Sequence, residues 1–169
     1  SCQAPAGSPL RGPGIIAALA RAAEAGGAVG VRIDGDDDIT AVRRAVALPI
    51  IGLRKVDRNT APVYITPRFE DARAIVAAGA DIVALDATAR PRPGGERLDT
   101  LIARIRTDLG RPVMADVATF DEGVHAAAMG ADLVATTLAG YTEDSPASDD
   151  PDIDLVGRLA RALAAPPGR

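Results

Sequence analysis

Pro49-Ile50-Ile51-Gly52-Leu53-Arg54-Lys55 is a short apolar run opened by a proline and ended by a lysine. A run of this length, rich in branched aliphatics, reads as a strand buried on both faces. Strands of that kind belong to parallel sheets. Lys55 stands where the buried run stops. In a strand–helix barrel that position is the C-terminal rim, where such folds carry their chemistry. The other segments are therefore read as repeats of this unit or as neighbours of Lys55.

Working outward, buried runs alternate with helical stripes. Ala28 to Ile33, Asp81 to Asp86, Pro112 to Asp116 and Asp132 to Thr137 read as strands. Ser1-Cys2-Gln3-Ala4 reads as the last residues of a further strand, cut short, with a loop from Gly7 to Pro13 after it. Helices are expected over Gly14 to Ala25 (Ile15, Ile16, Leu19 and Ala22 inward) and after the acidic turn Asp34 to Asp38, whose charges suit a helix N-terminus. A polar loop leads from Lys55 to Tyr64-Ile65-Thr66. Pro67 is placed as a first helical residue, with Phe69, Ala72 and Val76 as the stripe behind it. Leu98 to Leu109 forms a strong apolar stripe, and Thr119 to Glu122 matches a capping box. Pro151 opens a last helix, with Ile153, Val156, Ala160 and Leu163 inward, and residues 164–169 read as a frayed tail. Gly79-Ala80-Asp81-Ile82-Val83-Ala84 recurs as Gly130-Ala131-Asp132-Leu133-Val134-Ala135, and loosely from Gly27, at about two strand–helix units of separation. That pattern predicts a parallel α/β barrel in one domain, residues 1–169. A doubly wound open sheet is the alternative, but no G-x-G-x-x-G follows the early strands. One partial and five full strands fall short of the eight that a closed barrel needs.

Composition narrows the function classes. The chain has 169 residues, a net charge of −4, and only 2% aromatic residues, so small aliphatics must fill the core. There is no basic footprint for nucleic acid. Without a long apolar run or a basic-started leader, no membrane segment is expected and the location is read as cytoplasmic. Cys2 is the single cysteine, which excludes an internal disulfide and a cysteine-based zinc site.

The last residues of the proposed strands are Gln3, Arg32, Lys55, Asp86, Asp116 and the pair Thr136-Thr137. In a barrel they share one mouth. Two cations, two carboxylates and neutral polar groups suit a small anionic, oxygen-rich ligand such as a sugar phosphate. No catalytic triad is visible, since the single histidine, His125, falls mid-helix and reads as a surface residue. Two carboxylates without histidines would hold Mg²⁺ only loosely. Each candidate has a plainer reading. Lys55 could be a solvated turn residue, Asp86 and Asp116 could cap the loops after their strands, and Arg32 could pair with the Asp34–Asp38 run. Against the first of these, neighbouring cations would favour the neutral amine that a lysine base needs.

Gly30-Val31-Arg32, Pro49 to Lys55, Tyr64-Ile65-Thr66-Pro67, Ala84-Leu85-Asp86-Ala87-Thr88, Met114-Ala115-Asp116-Val117-Ala118-Thr119-Phe120-Asp121-Glu122-Gly123 and Thr136-Thr137-Leu138-Ala139-Gly140-Tyr141-Thr142 can be set beside one family. Together with Ser1-Cys2-Gln3-Ala4 they resemble the N-acetylmannosamine-6-phosphate 2-epimerases, in order and over nearly the whole chain. The resemblance implies a phosphate-binding (β/α)8 barrel that interconverts N-acetylmannosamine 6-phosphate and N-acetylglucosamine 6-phosphate in sialic acid breakdown. It implies that Lys55 moves the C2 proton and that Gln3, Arg32 and Asp116 line the sugar site, Asp116 close to the reacting end; Thr137 is added as a further binding residue, with Asp86 and Tyr64 as a second tier. It implies no redox cofactor, requires no metal, and makes a homodimer the candidate assembly.

Family members continue past the last helix with a strand ending Ala-Glu-Gly, whose glutamate is catalytic, and then a phosphate-binding Gly-rich turn. Nothing after Leu163 matches these, so the chain is expected to hold about six of eight units. The alternatives carried forward are an inactive sugar-phosphate-binding fragment and a half-barrel completed by a partner chain. Within enzymes, the ribulose-phosphate epimerases are the fallback.

Overall fold

A computed structural model describes residues 1–5, 7–57, 61–148 and 150–164. The elements in order are α1 (Pro13–Ala25), β1 (Val31–Asp34), α2 (Asp36–Ala45), β2 (Ile50–Leu53), α3 (Phe69–Ala78), β3 (Ile82–Asp86), α4 (Leu98–Asp108), β4 (Val113–Asp116), α5 (Phe120–Ala128), β5 (Leu133–Ala135) and α6 (Ile153–Ala164). The strands form one parallel sheet in sequence order, β1 to β5. Cys2 bridges Ile33 in parallel, its N–H donating to the Arg32 carbonyl at 3.0 Å. That sets Gln3 beside β1, where the partial first strand was expected.

Side-chain alternation along the strands separates two cores. Ile50, Val83, Leu85, Val113 and Ala115 pack outward with helix residues such as Ile39, Ile75, Leu101 and Ile105. Leu53 and Ala84 pack on the other face with Tyr64, Ile65, Ala118 and Leu138, and with the partly buried Ile51 and Met114. A period of two then gives the inner face to the chemistry-bearing residues. Lys55 follows Ile51 and Leu53, Asp86 follows Ala84, Asp116 follows Met114, and Arg32 lies between the outward Val31 and Ile33.

The repeated Gly-Ala-Asp is a structural device used twice. Gly79 and Gly130 end α3 and α5 with φ of 115° and 98°, a backbone region that favours glycine. The following aspartates accept from the first residue of the preceding strand: Ile50 N–H donates to Asp81 and Val113 N–H to Asp132, each at 2.9 Å. An arginine from the facing helix closes each turn. Arg43 pairs with Asp81, and Arg106 with Asp132 at 3.4 Å.

Several expectations need correcting. The strands are shorter than their apolar runs: β1 starts at Val31 rather than Ala28, and β5 stops at Ala135, leaving Thr136 and Thr137 beyond it. Pro67 precedes α3 instead of opening it, because Thr66 takes a left-handed φ of 44° and Arg68 is the N-cap. The α6 stripe was assigned to the wrong face. Leu155 and Leu159 are buried, whereas Ile153 and Val156 are exposed. Gly123 explains this: a Cβ there would stand 2.5 Å from the Leu159 side chain, so the glycine lets α6 approach α5 along the Leu159 line. On α1, Ile16 and Ala20 are buried, whereas Ile15, Leu19 and Ala22, expected to face inward, are exposed. The capping box forms as expected, with Glu122 N–H donating to Thr119 Oγ1 and Thr119 N–H donating to Glu122. The tail expected over 164–169 lies outside the described residues from 165 onward, as do 58–60 of the polar loop.

Candidate active site

Lys55 leaves β2 two residues after Leu53 and its backbone is held on both sides, by a strand bridge and by a side-chain acceptor. It bridges Ile65 in antiparallel fashion, and its N–H donates to Asp34 Oδ1 at 3.0 Å. Val56 N–H donates to the Tyr64 carbonyl and Thr66 N–H to the Arg54 carbonyl, so the Tyr64–Thr66 segment folds back beside the lysine. The side chain is 39% exposed. Its ammonium donates to Gln3 Oε1 at 2.5 Å and lies 3.9 Å from Asp34 Oδ2. Gln3 is oriented in turn by its own amide, which donates to Ser1 Oγ at 2.8 Å.

A second pair lies on the same face. Arg32 Nη2 donates to Asp116 Oδ2 at 2.5 Å. The Asp116 side chain is fully buried and that of Arg32 is 17% exposed. Burial pushes the Asp116 carboxyl above its ordinary range, and the nearby Asp86 charge adds to this; Arg32 and the Thr137 hydroxyl pull the other way. Among the described residues, Arg32 Nε and Asp116 Oδ1 are both buried without a hydrogen-bond partner. The pair therefore keeps one donor and one acceptor unused.

Gln3, Arg32, Lys55, Asp116 and Thr137 thus fall into two contacting groups, Gln3 with Lys55 and Arg32 with Asp116 and Thr137. Arg32 turns to Asp116, so its suggested pairing with the acidic Asp34–Asp38 turn is replaced. Asp86 stands next to Asp116 in the sheet register, but its carboxylate is engaged by its own loop. It accepts from Thr88 N–H at 2.9 Å, Thr88 Oγ1 at 2.7 Å and Arg90 at 2.7 Å. The loop-capping reading thus describes Asp86, which also pairs with Arg90, whereas Asp116 pairs with Arg32 from another strand. Tyr64 is buried in the inner core. His125 is exposed on α5. It lines a cavity of about 560 Å³ between the Ala87–Arg92 loop and α5, whose lining includes none of the strand-end candidates.

Two features escaped the strand-end reading. Asp34, assigned to a turn, is the last residue of β1 and contacts Lys55 twice. The signal for Lys55 itself was stronger than its position alone: of 19 basic residues it is the single lysine, the other 18 being arginines. Among the described residues, no group of three or more His, Cys, Asp or Glu could hold a metal ion, and no helix is long and apolar enough to cross a membrane.

Comparison with known proteins follows the same lines. The family model described as "Putative N-acetylmannosamine-6-phosphate epimerase" matches residues 16–165. A protein of Thermosynechococcus vestitus named as such a 2-epimerase is 55% identical over 98% of this chain and 72% of its own length. One from Caldanaerobacter subterraneus is 46% identical over 98% and 70%. The solved N-acetylmannosamine-6-phosphate 2-epimerase of Clostridium perfringens superimposes with a TM-score of 0.90 at 38% identity, over 95% of this chain and 69% of that one. A mandelate oxidase, 19% identical with a TM-score of 0.53, shares the fold alone.

Proposed function

The chain belongs to the N-acetylmannosamine-6-phosphate epimerase family, and from that premise we propose that it inverts C2 of N-acetylmannosamine 6-phosphate to give the gluco epimer, with Lys55 as the proton carrier. The observation that carries the reading is the placement of the single lysine at the inner rim of a parallel sheet, its amine 2.5 Å from Gln3 Oε1 and on the same face as Arg32 and Asp116.

The chemistry follows from the substrate. A C2 proton is acidic only when C1 is an aldehyde, so the sugar reacts in its open-chain form. The neutral Lys55 amine takes the proton, the C2–H electron pair forms a C1–C2 double bond, and negative charge moves onto O1. A proton from water reaching the opposite face of C2 restores the aldehyde with inverted configuration, and Lys55 releases the abstracted proton to solvent. Positioned donors are worth most where they meet charge that develops in the transition state. Arg32, with a buried Nε to spare, is the cation for O1, and Asp116 fixes the guanidinium. Gln3 and Thr137 hold sugar hydroxyls. We assign the chain to the cytoplasm with a homodimer as its assembly, on the family reading.

Proton NMR of N-acetylmannosamine 6-phosphate in D₂O tests this. Loss of the C2 proton signal with growth of the gluco epimer is expected. Saturable binding of the sugar phosphate with no C2 exchange would replace the epimerase reading with that of a sugar-phosphate binder.

A further inference from the structure

We propose that Asp34 is the positioning residue for Lys55, orienting its backbone and stabilising the ammonium that proton abstraction creates. This rests on the reading of Lys55 as the base and goes one residue beyond it. Asp34 ends β1 and lies opposite Leu53 in the register, two residues before the lysine. Its two carboxylate oxygens have separate tasks. Oδ1 accepts the Lys55 backbone N–H at 3.0 Å, and Oδ2 stands 3.9 Å from Nζ.

The main-chain bond matters because Lys55 lies past the end of β2, and its N–H is received by a side chain rather than by a ladder carbonyl. A side chain from the neighbouring strand supplies the acceptor and so fixes the Cα from which the amine projects. The second oxygen matters at the moment of reaction. The amine is neutral before it takes the C2 proton and cationic afterwards, so a carboxylate at this distance favours the product of that step over its reactant. This is the logic by which a third group orients and supports a catalytic base.

The surrounding charges leave the assignment with Asp34. Arg54, beside the lysine, turns to Asp36 at 3.7 Å and Asp71 at 3.9 Å. Arg32 is paired with Asp116. Asp38, in the first turn of α2, faces Asp34 and Arg11. Asp57 lies two residues along the chain from Lys55.

Two variants separate the two tasks. Asp34→Asn keeps an acceptor for the Lys55 N–H and removes the charge; Asp34→Ala removes both. On the alkaline plateau of its pH–rate profile, where the amine is already neutral, Asp34→Asn is expected to fold with an unchanged melt and to lose about two- to fivefold in kcat with KM within about twofold, the pattern of an interaction gained as the proton is taken. Asp34→Ala should lose more. A second readout needs no turnover. Because Lys55 is the single lysine, acylation by acetic anhydride at fixed pH is read at one side chain by peptide mass. Its rate should rise about two- to fivefold in Asp34→Asn, since a partly exposed ion pair contributes up to about 1 kcal/mol.

If Asp34→Asn matches the parent in acylation rate and in kcat, the charge has no role and the proposal is overturned, while an inactive Lys55→Ala would leave the base reading standing. If Lys55→Ala itself retains C2 exchange, the base reading fails and takes the Asp34 role with it. Should turnover be too slow to measure, the acylation rate alone decides.

Discussion

Arg32 on β1 donates to Asp116 at the end of β4 across 2.5 Å, although two strands lie between them. In a flat sheet β1 and β4 would be about 14 Å apart, with side chains standing roughly perpendicular to the sheet. The contact closes because the sheet curls towards its inner face, as in a strand–helix barrel. The same curl brings Gln3 to Lys55. The ion pair is thus a consequence of the fold before it is part of any reaction.

The first prediction concerns its pH dependence. Burial favours the neutral acid of Asp116, so ionising it in the folded chain carries a penalty that the unfolded chain lacks. That penalty is absent below the ordinary value of 3.8, grows as pH rises through the raised native value, and is complete above it. Asp116→Asn cannot ionise and retains an acceptor for Arg32. It should therefore gain stability relative to the parent between about pH 4 and neutrality. Urea midpoints of the two proteins at several pH values check this; a difference constant with pH would contradict it.

Lys55→Ala should abolish C2 exchange while leaving the fold in place. The hydrogen bonds that shape this segment are made by its backbone, and the side chain is 39% exposed. Truncation there should change stability by no more than about 0.5 kcal/mol. Loss of a positioned base costs about 10²- to 10⁴-fold. Deuterium wash-in at C2 measured beside a thermal melt distinguishes the two effects, and retained wash-in would remove Lys55 from the reaction.

The parallel sheet and the shared inner face were legible because they rest on local rules. Short branched runs make buried strands, and a period of two carries Arg32, Asp86 and Asp116 to the same side. Helix faces were less legible. On α6 the pattern Ile153, Val156, Ala160, Leu163 is as regular as the buried pair Leu155 and Leu159, and the choice is made by Gly123 on another helix. Pairings were least legible of all. Arg32 had acidic neighbours in the chain and took a distant one, since the curl of the sheet has no signature in local sequence. Asp34 was read as a turn residue because its partner lies 21 positions away.

Gly52 is expected to tolerate no side chain. It faces the helix layer from the middle of β2, and an ideal Cβ there would stand 2.5 Å from the Ala80 Cβ and 3.1 Å from Ile39 Cδ1. Ala80 is itself buried and has no rotamer to move, so relief requires a backbone shift. Gly52→Ala should cost about 1–3 kcal/mol through overpacking. Since β2 leads directly to Lys55, C2 exchange should fall as well. A melt equal to that of the parent would show that α3 and its flanking turn yield more readily than this packing suggests.

The Gly-Ala-Asp repeat gives the last test. Asp81→Ala strips the acceptor from the buried Ile50 N–H and a partner from Arg43; Asp132→Ala does the same to Val113 and Arg106. An unpaired buried donor costs about 1–3 kcal/mol, so each variant should lose that much, and Asp→Asn, which keeps a carbonyl oxygen, should recover part of it. The two turns share no partner, so the double alanine variant should equal the sum of the singles within about 0.5 kcal/mol. Denaturant midpoints of the four proteins decide it. A coupling well above that figure would mean the two turns act as one unit, and that the repeat is more than the same local device used twice.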